Sequence, residues 1–271
     1  MANINSIIEE AQLMKQNRAD IIKALNDVGF NQVDEHTTMA EIARYMQWAG
    51  GLLDVCLATF SKSTFQHRYW TYEEWMGASS QTRSQYIQMG VRLRAEGQEF
   101  IIAKSGQTSD TGTASMQWCT KQTAIRGLTQ YSGNSAMLSD MDGENNTDII
   151  LSAAEDADFD CPAARRARAF QCCSIEEENI ADPTKWSLPA IGQLWLCIKY
   201  QVAIDTVLEQ LGMSKLNASG SYWTSTVMNQ YYALTAAVTS GVISAPTMNS
   251  SSAVRPVAKV QPTESAAPQS L

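Results

Sequence analysis

Hydrophobic residues recur in alternating steps of three and four along the first thirty residues of the chain. This spacing is typical of a helix that associates with copies of itself through a heptad seam. Gly29 follows the pattern and suits a helix C-cap. An amphipathic helix packed on its own domain is the alternative, because Ile8 and Ile22 widen the apolar stripe. The predicted oligomerisation residues are Ile4, Ile7, Ala11, Met14, Arg18, Ile21, Leu25 and Val28.

A second helix is predicted directly after the first. Thr38 and Glu41 have the spacing of a capping box, and Gly50 and Gly51 end the apolar pattern. The two helices predict an attachment or oligomerisation module over residues 1–53, and we expect a homo-oligomer, with the trimer as the expected form. The rest of the chain is predicted to form a connector over 54–69, a larger domain over 70–258 and an extended tail over 259–271.

The larger domain mixes strand and helix patterns, which predicts an α+β fold. A β-hairpin is expected where the alternating residues 91–94 and 99–103 flank a turn at Glu96 and Gly97. Residues 105–148 are rich in Ser, Thr, Gly and Asn, and this composition predicts long loops.

The second half of the domain carries both helix and strand signals. Asp160 as the cap and Pro162 as the first residue predict a short helix that reaches Cys173. A longer helical region runs from Leu188 to Leu211, and its apolar phase slips near Tyr200, which predicts two helices or a kink. Strands are predicted over residues 222–227, 231–238 and 253–257.

Charge and cysteine usage narrow the class of protein. A net charge of -8 argues against nucleic-acid binding, which needs a basic face, and no apolar run is long enough for membrane insertion. Acidic residues near the N-terminus are unlike a signal peptide, so we expect synthesis in a cytoplasm. Six cysteines without a CxxC pair are expected to be reduced thiols, with no metal and no cofactor.

Residues suited to catalysis are sparse. The two histidines, His36 and His67, lie in no recognisable nucleophile motif, and the sequence has no GxSxG or Walker loop. From Asp140 to Asp148, oxygen side chains stand at every second position, as in a calcium loop. Asn145 and Leu151, however, occupy the places where an EF-hand needs Gly and Glu. A polar turn is the favoured interpretation, with calcium binding as the alternative, and no catalytic residue is predicted.

The segment from Thr224 to Ser252 combines Tyr, Ser, Asn and Thr with no charged residue. Recognition loops use this mixture, because Tyr supplies a rigid amphipathic area and Ser and Asn supply adaptable hydrogen bonds. The alternative is an edge strand and a loop that hydroxyl groups keep soluble. The segment is therefore a candidate contact surface.

Four motifs in the second half of the chain occur in a recognisable order. They are KWSLPAIGQLW (Lys185–Trp195), SYWTST (Ser221–Thr226), Gly241 and AVRPV (Ala253–Val257). This order resembles the W-x-LP, YWSST, G and VRPV pattern of C-type-lectin-like domains related to formylglycine-generating enzyme, as found in Bacteroidetes and their phages. The segment GVRLRAEGQEFIIAK is similar to the first hairpin of that domain, so the resemblance covers about residues 70–260.

The resemblance implies a C-type-lectin-like domain with long loops and assigns two groups of residues. Its framework would be Trp186, Leu188, Pro189, Trp195, Tyr222, Trp223, Arg255 and Pro256. Its ligand-binding residues would be Met228, Asn229, Gln230, Tyr231, Tyr232, Thr247, Asn249, Ser250 and Ser251. Two features depart from the family. Ala233 and Leu234 stand where many relatives have an Ala-Trp pair, and the reactive cysteine arrangement of the enzymatic branch is not found.

The helical module and the lectin-like domain together predict a phage virion structural protein, a head- or tail-fibre component that displays a surface for host attachment. Its expected partners are sister chains, capsid or tail subunits, and a host surface glycan or protein. Its expected location is the virion, after synthesis in the bacterial host. One alternative is a purely structural capsid or tail decoration protein without ligand recognition. A formylglycine-generating type of enzyme is the remote alternative.

Overall fold

A computed structural model of the chain describes residues 17–23, 36, 53–106, 114–132, 134–157, 159–173, 182–216 and 220–260. The chain divides into two units, Met1–Asp54 and Val55–Leu271. In the first unit, residues 17–23 are helical, and Arg18 and Ile21 are half-buried there. The other residues of the predicted heptad seam lie outside the described residues, so the coiled coil stays a prediction.

The second unit has a mixed α/β fold with two five-stranded sheets, and antiparallel pairs dominate both. The first sheet has the strand order β10-β4-β3-β1-β2. Its strands are β1 (Leu53–Ser61), β2 (His67–Trp70), β3 (Tyr86–Ala95), β4 (Gln98–Ala103) and β10 (Val257–Lys259). The second sheet has the order β5-β9-β6-β7-β8. Its strands are β5 (Ser115–Gln117), β6 (Ser221–Val227), β7 (Ala233–Ala237), β8 (Ile243–Ser244) and β9 (Ser251–Ala253).

Strands β1 and β2 occupy the segment 54–69, for which the sequence predicts a connector. Every residue of β1 from Val55 to Ser61 is buried. Leu57 packs into one hydrophobic cluster and its neighbour Ala58 into another, so both faces of the strand are covered. A strand buried on both faces has no apolar-polar alternation, and this is why the pattern did not identify it.

The predicted β3–β4 hairpin is confirmed. Residues 90–95 pair with 98–103 in a regular antiparallel register. Glu96 and Gly97 form the turn with φ values of 52° and 74°. Two consecutive left-handed residues are typical of the tight turn that matches the twist of a two-stranded ribbon.

Seven helices are described in the second unit. They are α1 (Tyr72–Gly77), α2 (Ser80–Arg83), α3 (Asn134–Met137), α4 (Gly143–Glu155), α5 (Pro162–Arg168), α6 (Ile191–Lys199) and α7 (Gln201–Gln210). The predicted break at Tyr200 separates α6 from α7. Pro162 begins α5 as expected, but Cys161 takes the N-cap position predicted for Asp160. Asp160 instead pairs with Arg165 at 2.8 Å. No helix among these described residues is long and apolar enough to span a membrane.

Three tryptophans form the largest fully buried side chains of the second unit. Each indole N–H has an acceptor: Trp118 donates to Thr224 O at 2.7 Å, Trp186 to an Asp182 carboxylate oxygen at 2.8 Å, and Trp223 to Met116 O at 2.7 Å. Burial of Trp186 and Trp223 agrees with the framework role that the resemblance implied. Because the polar edge of each ring is satisfied, their apolar area stabilises the core without an unpaired donor.

Arg255 stabilises the crossing of the chain from β9 in the second sheet to β10 in the first. Its buried guanidinium donates to Ser214 O at 2.7 Å and to Lys215 O at 3.5 Å. The predicted strand over 253–257 is therefore divided, with Ala253 in one sheet and Val257 in the other. Arg255 thus holds the loop after α7 against this crossing segment.

His67 makes the stability of the second unit depend on pH. The side chain is fully buried, and among the described residues its Nε2 has no hydrogen-bond partner. Burial lowers the pKa of His67 from its ordinary value of 6.5, an effect that Asp182 partly opposes. Between the two pKa values, the imidazole is protonated in the unfolded chain and neutral in the folded chain. The free energy of unfolding therefore falls as the pH drops below about 6.5 towards the folded pKa.

We expect the free energy of unfolding of the wild type to fall more steeply than that of His67→Gln between about pH 7.5 and about pH 5. Glutamine does not titrate, so its packing cost is the same at every pH, and all other groups are common to the two proteins. Denaturant unfolding at several pH values measures this difference. Parallel profiles for the two proteins would contradict the assignment.

Candidate functional site

The loop Met228–Tyr232 connects β6 to β7 and presents two tyrosines to solvent. Tyr231 is 46% exposed and Tyr232 is 37% exposed. Asn229 Oδ1 accepts hydrogen bonds from the backbone N–H groups of Tyr231 at 2.8 Å and Tyr232 at 3.2 Å. The Met228 N–H donates to Tyr232 O at 2.9 Å and closes the loop. Asn229 therefore shapes the loop as an Asx turn, and the tyrosines form its outer surface.

The turn Thr247–Ser250 lies against this loop. Met248 is buried, and its N–H donates to Tyr231 O at 3.0 Å. Tyr232 and Thr247 form a β-bridge, and the Thr247 and Ser250 hydroxyls are 2.8 Å apart. The structure thus brings together the two sequence segments that were predicted to bind a ligand.

Asn249 and Ser251 complete this region beside β5. Gln117 donates to Asn249 O at 3.0 Å and Gln122 donates to Asn249 Oδ1 at 3.1 Å, while Ser251 pairs with Gln117 in the sheet. We call the nine predicted residues together the loop surface. Its exposed members are Gln230, Tyr231, Tyr232, Asn249 and Ser251, and its half-buried members are Met228, Asn229, Thr247 and Ser250.

An apolar groove of about 360 Å³ borders the loop surface at Met228. None of the residues that line it is charged. They are Met137, Leu138, Trp195, Met228, Leu234, Gly241, Ile243, Ser244 and Ala245.

Strand register relates the groove to the exposed tyrosine. Ala236 pairs with Ile243, and the Tyr232–Thr247 bridge continues the same register. Alternate residues of a strand share a face, so Tyr232 lies on the same face of the sheet as Leu234 and Ile243. A ligand that contacts the Tyr232 ring could therefore place an apolar group in the groove.

Trp195, one of the framework residues that the resemblance implies, is half-buried and lines the groove. Helix α6 is buried at every position except Trp195 and Lys199, so Trp195 is the large side chain that reaches the groove. A large aromatic next to the apolar positions 191, 194 and 198 is the sequence signal that could have identified it. Leu234 and Ile243 had no comparable signal, because their place depends on how β7 and β8 pair.

Asp140 holds the groove wall at Leu138 against the rest of the unit. This buried carboxylate accepts hydrogen bonds from Thr226 Oγ1 at 2.7 Å and from Asn146 Nδ2 at 2.9 Å. Its backbone oxygen accepts from the Gly192 N–H at 2.9 Å. Asp140 therefore joins α4, α6 and β6 in one network.

The oxygen-rich segment after Asp140 is the start of a helix, so the prediction of a polar turn is wrong from Gly143 onward. Asp142 is the N-cap of α4 and accepts from the Asn145 N–H at 3.3 Å. Within the residues that the structure describes, no group of three or more His, Cys, Asp or Glu side chains could hold a metal ion. The alternating oxygens reflect helix capping and the Asp140 network.

No family model matches the chain, and no curated protein matches it. Among solved structures, the chain is similar to a fimbrial protein from Bacteroides ovatus, with 13% sequence identity and a TM-score of 0.38. The match covers 59% of this chain and 35% of the fimbrial protein, so the chain spans about a third of that protein's length. A TM-score of this size does not establish a common fold.

Proposed function

We propose that the chain is a phage virion structural protein, a head- or tail-fibre component whose large unit is a C-type-lectin-like domain for host attachment. The observation that carries the proposal is the pair of exposed tyrosines, held by Asn229 on a shaped loop beside an uncharged apolar groove. In this proposal the partner is a host surface glycan or protein, the chain resides in the virion, and it has no catalytic role.

Physical chemistry supports the loop surface as the contact face. Tyrosine rings offer rigid apolar area and a hydroxyl for little loss of conformational entropy, which makes them frequent anchors in recognition. The Asx turn of Asn229 orders the loop before binding, and this preorganisation lowers the entropic cost of association. No acidic side chain belongs to the loop surface or the groove, although the whole chain carries a charge of -8.

Binding of the fluorescently labelled full-length chain to a panel of Bacteroidetes strains tests the proposal. We expect the double variant Tyr231→Ala, Tyr232→Ala to bind roughly tenfold more weakly or worse, because anchors of this kind dominate an interface. The fold should be unaffected, since both side chains are exposed.

Phe65→Asn is the matched control. Phe65 is an exposed aromatic in the β1–β2 connection with φ of 58°, a conformation that asparagine tolerates. The control should bind as the wild type does. Equal binding by the tyrosine double variant would remove the loop surface as the site. Absence of wild-type binding to every strain would favour the structural decoration protein.

The N-terminal module would serve to attach the chain to the particle and to sister chains. Several weak faces on one oligomer raise avidity without improving any single contact. We therefore expect the full-length chain to be an oligomer, and deletion of residues 1–30 to produce a monomer. Light scattering coupled to size-exclusion chromatography measures the mass of both proteins. If the full-length chain is a monomer, and the deletion variant is a monomer as well, this part of the proposal is contradicted.

A further inference from the structure

Cys119 and Cys161 lie side by side in the core of the second unit. Both side chains are fully buried in the same hydrophobic cluster, and their thiols are hydrogen-bonded to each other. Cys119 follows shortly after β5, and Cys161 is the N-cap of α5. The two residues are far apart in the sequence, so the sequence predicted only separate thiols.

Hydrogen bonds between the neighbouring residues hold the two cysteine-containing segments together. The Thr120 N–H donates to Asp160 O at 2.8 Å, and the Asp160 N–H donates to Thr120 Oγ1 at 2.9 Å. The two segments are therefore tied together one residue away from each cysteine. A disulfide requires Cα atoms about 4.4–6.8 Å apart and side chains that point towards each other. The thiol–thiol hydrogen bond and the backbone tie one residue away bring the two side chains towards each other, which is the approach that a disulfide needs.

We propose that Cys119 and Cys161 form a disulfide bond when the chain folds in the presence of a small-molecule disulfide such as oxidised glutathione. One cysteine, as a thiolate, attacks a sulfur of the small molecule, breaks its S–S bond and releases one small thiolate. The second cysteine, as a thiolate, then attacks the first cysteine's sulfur and releases the other small thiolate. Two electrons pass to the small disulfide, and the two cysteine protons end on the two released thiols.

In the folded chain the thiol–thiol hydrogen bond makes the two cysteines unequal. It lowers the pKa of Cys119 and, with burial, raises the pKa of Cys161. Thiolates are the reactive form in exchange, and because these pKa shifts arise only once the core has closed, they do not decide which cysteine reacts first. Because both sulfurs are buried in the folded chain, exchange takes place before this part of the core closes, and the closed core then shields the bond from reductants.

The bond would close a loop that contains Asp140, its partner Asn146 and the groove residues Met137 and Leu138. Cross-linking such a loop restricts the unfolded chain and so stabilises the folded one, more strongly for a longer loop. The proposal concerns the stability of this part of the fold and holds whether or not the loop surface binds a host.

The experiment refolds the full-length chain either with mixed oxidised and reduced glutathione or with reduced glutathione alone. Each sample is then unfolded in denaturant with iodoacetamide and analysed by intact mass and non-reducing peptide mapping. Of the six cysteines, four should be alkylated in the oxidised sample, with one peptide joined through Cys119 and Cys161. The thermal midpoint should be roughly 10 °C higher in the oxidised sample than in the reduced one.

Cys119→Ser and Cys161→Ser should each abolish the joined peptide and the difference in midpoint between the two samples. Cys197→Ser, a substitution at another buried cysteine, should retain both. Each comparison is made within one variant, so the packing cost of a serine does not enter. Alkylation of all six wild-type cysteines in the oxidised sample, or a peptide joined through other cysteines, would overturn the proposal.

Discussion

Replacing Asp140 with alanine is expected to lower the free energy of unfolding of the second unit by about 3 kcal/mol. The substitution leaves the Thr226 hydroxyl and the Asn146 amide buried without their carboxylate acceptor. Each lost bond to a charged group is worth about 1.5–3 kcal/mol. The alanine variant also avoids the free-energy cost of burying a carboxylate, and this offsets part of the loss. The net loss of stability therefore stays near the value of one or two hydrogen bonds.

Two further variants serve as comparisons: Asp140→Asn is the conservative substitution, and Asp156→Ala is the surface control. The amide of Asn keeps one acceptor oxygen, so we expect a smaller loss of stability than for alanine. Some loss remains, because its NH₂ group faces Thr226 or Asn146 in place of the second oxygen. Asp156 is exposed at the C-cap of α4, and its substitution should change stability by less than about 0.5 kcal/mol. Urea unfolding measures all three. Equal stability of Asp140→Ala and the wild type would contradict the role of the network.

Gly192→Ala is expected to destabilise the second unit by about 3 kcal/mol, although alanine is the better helix former. A Cβ atom at this position of α6 would lie 2.5 Å from both Leu138 O and Asp140 O. These are backbone atoms, and the same segment receives the Gly192 N–H bond. Relief of the clash would move the groove wall, so host-cell binding by the folded variant should also weaken.

Gly77→Ala is the matched control for this substitution. Gly77 ends α1, its φ is not in the left-handed region, and a Cβ there would meet no atom within 4 Å. The control should unfold within about 1 kcal/mol of the wild type and bind normally. Unfolding of Gly192→Ala at the same denaturant concentration as the control would show that α6 and the segment at Leu138 are not in close contact.

Features with a local cause were predictable from the sequence. The β3–β4 hairpin depends on Glu96 and Gly97 between alternating residues, and the break at Tyr200 follows from a slip in apolar phase. The burial of Trp186 and Trp223 was likewise expected from the size of their apolar rings. For the hairpin and the break, the signal lies in the same stretch of chain as the structure that it predicts.

Features assembled from distant segments were not predictable in this way. The groove combines α3, α6 and the β7–β8 ribbon, and the Asp140 network joins side chains up to 86 positions apart. Cys119 and Cys161 each resembled an ordinary core thiol. For the loop surface, sequence and resemblance identified the segments, while the Asx turn of Asn229 and the bridge between Tyr232 and Thr247 emerged only from the fold.

The central proposal is that the loop surface and the groove form the recognition site. Hydrogen exchange of the chain, measured with and without envelope fragments of a strain that it binds, tests this proposal directly. The method reports which backbone amides become protected on binding. We expect protection in peptides that cover residues 228–250, with little change in the first sheet over residues 53–103. Protection confined to the first sheet, or none in the 228–250 peptides while binding persists, would contradict the proposal.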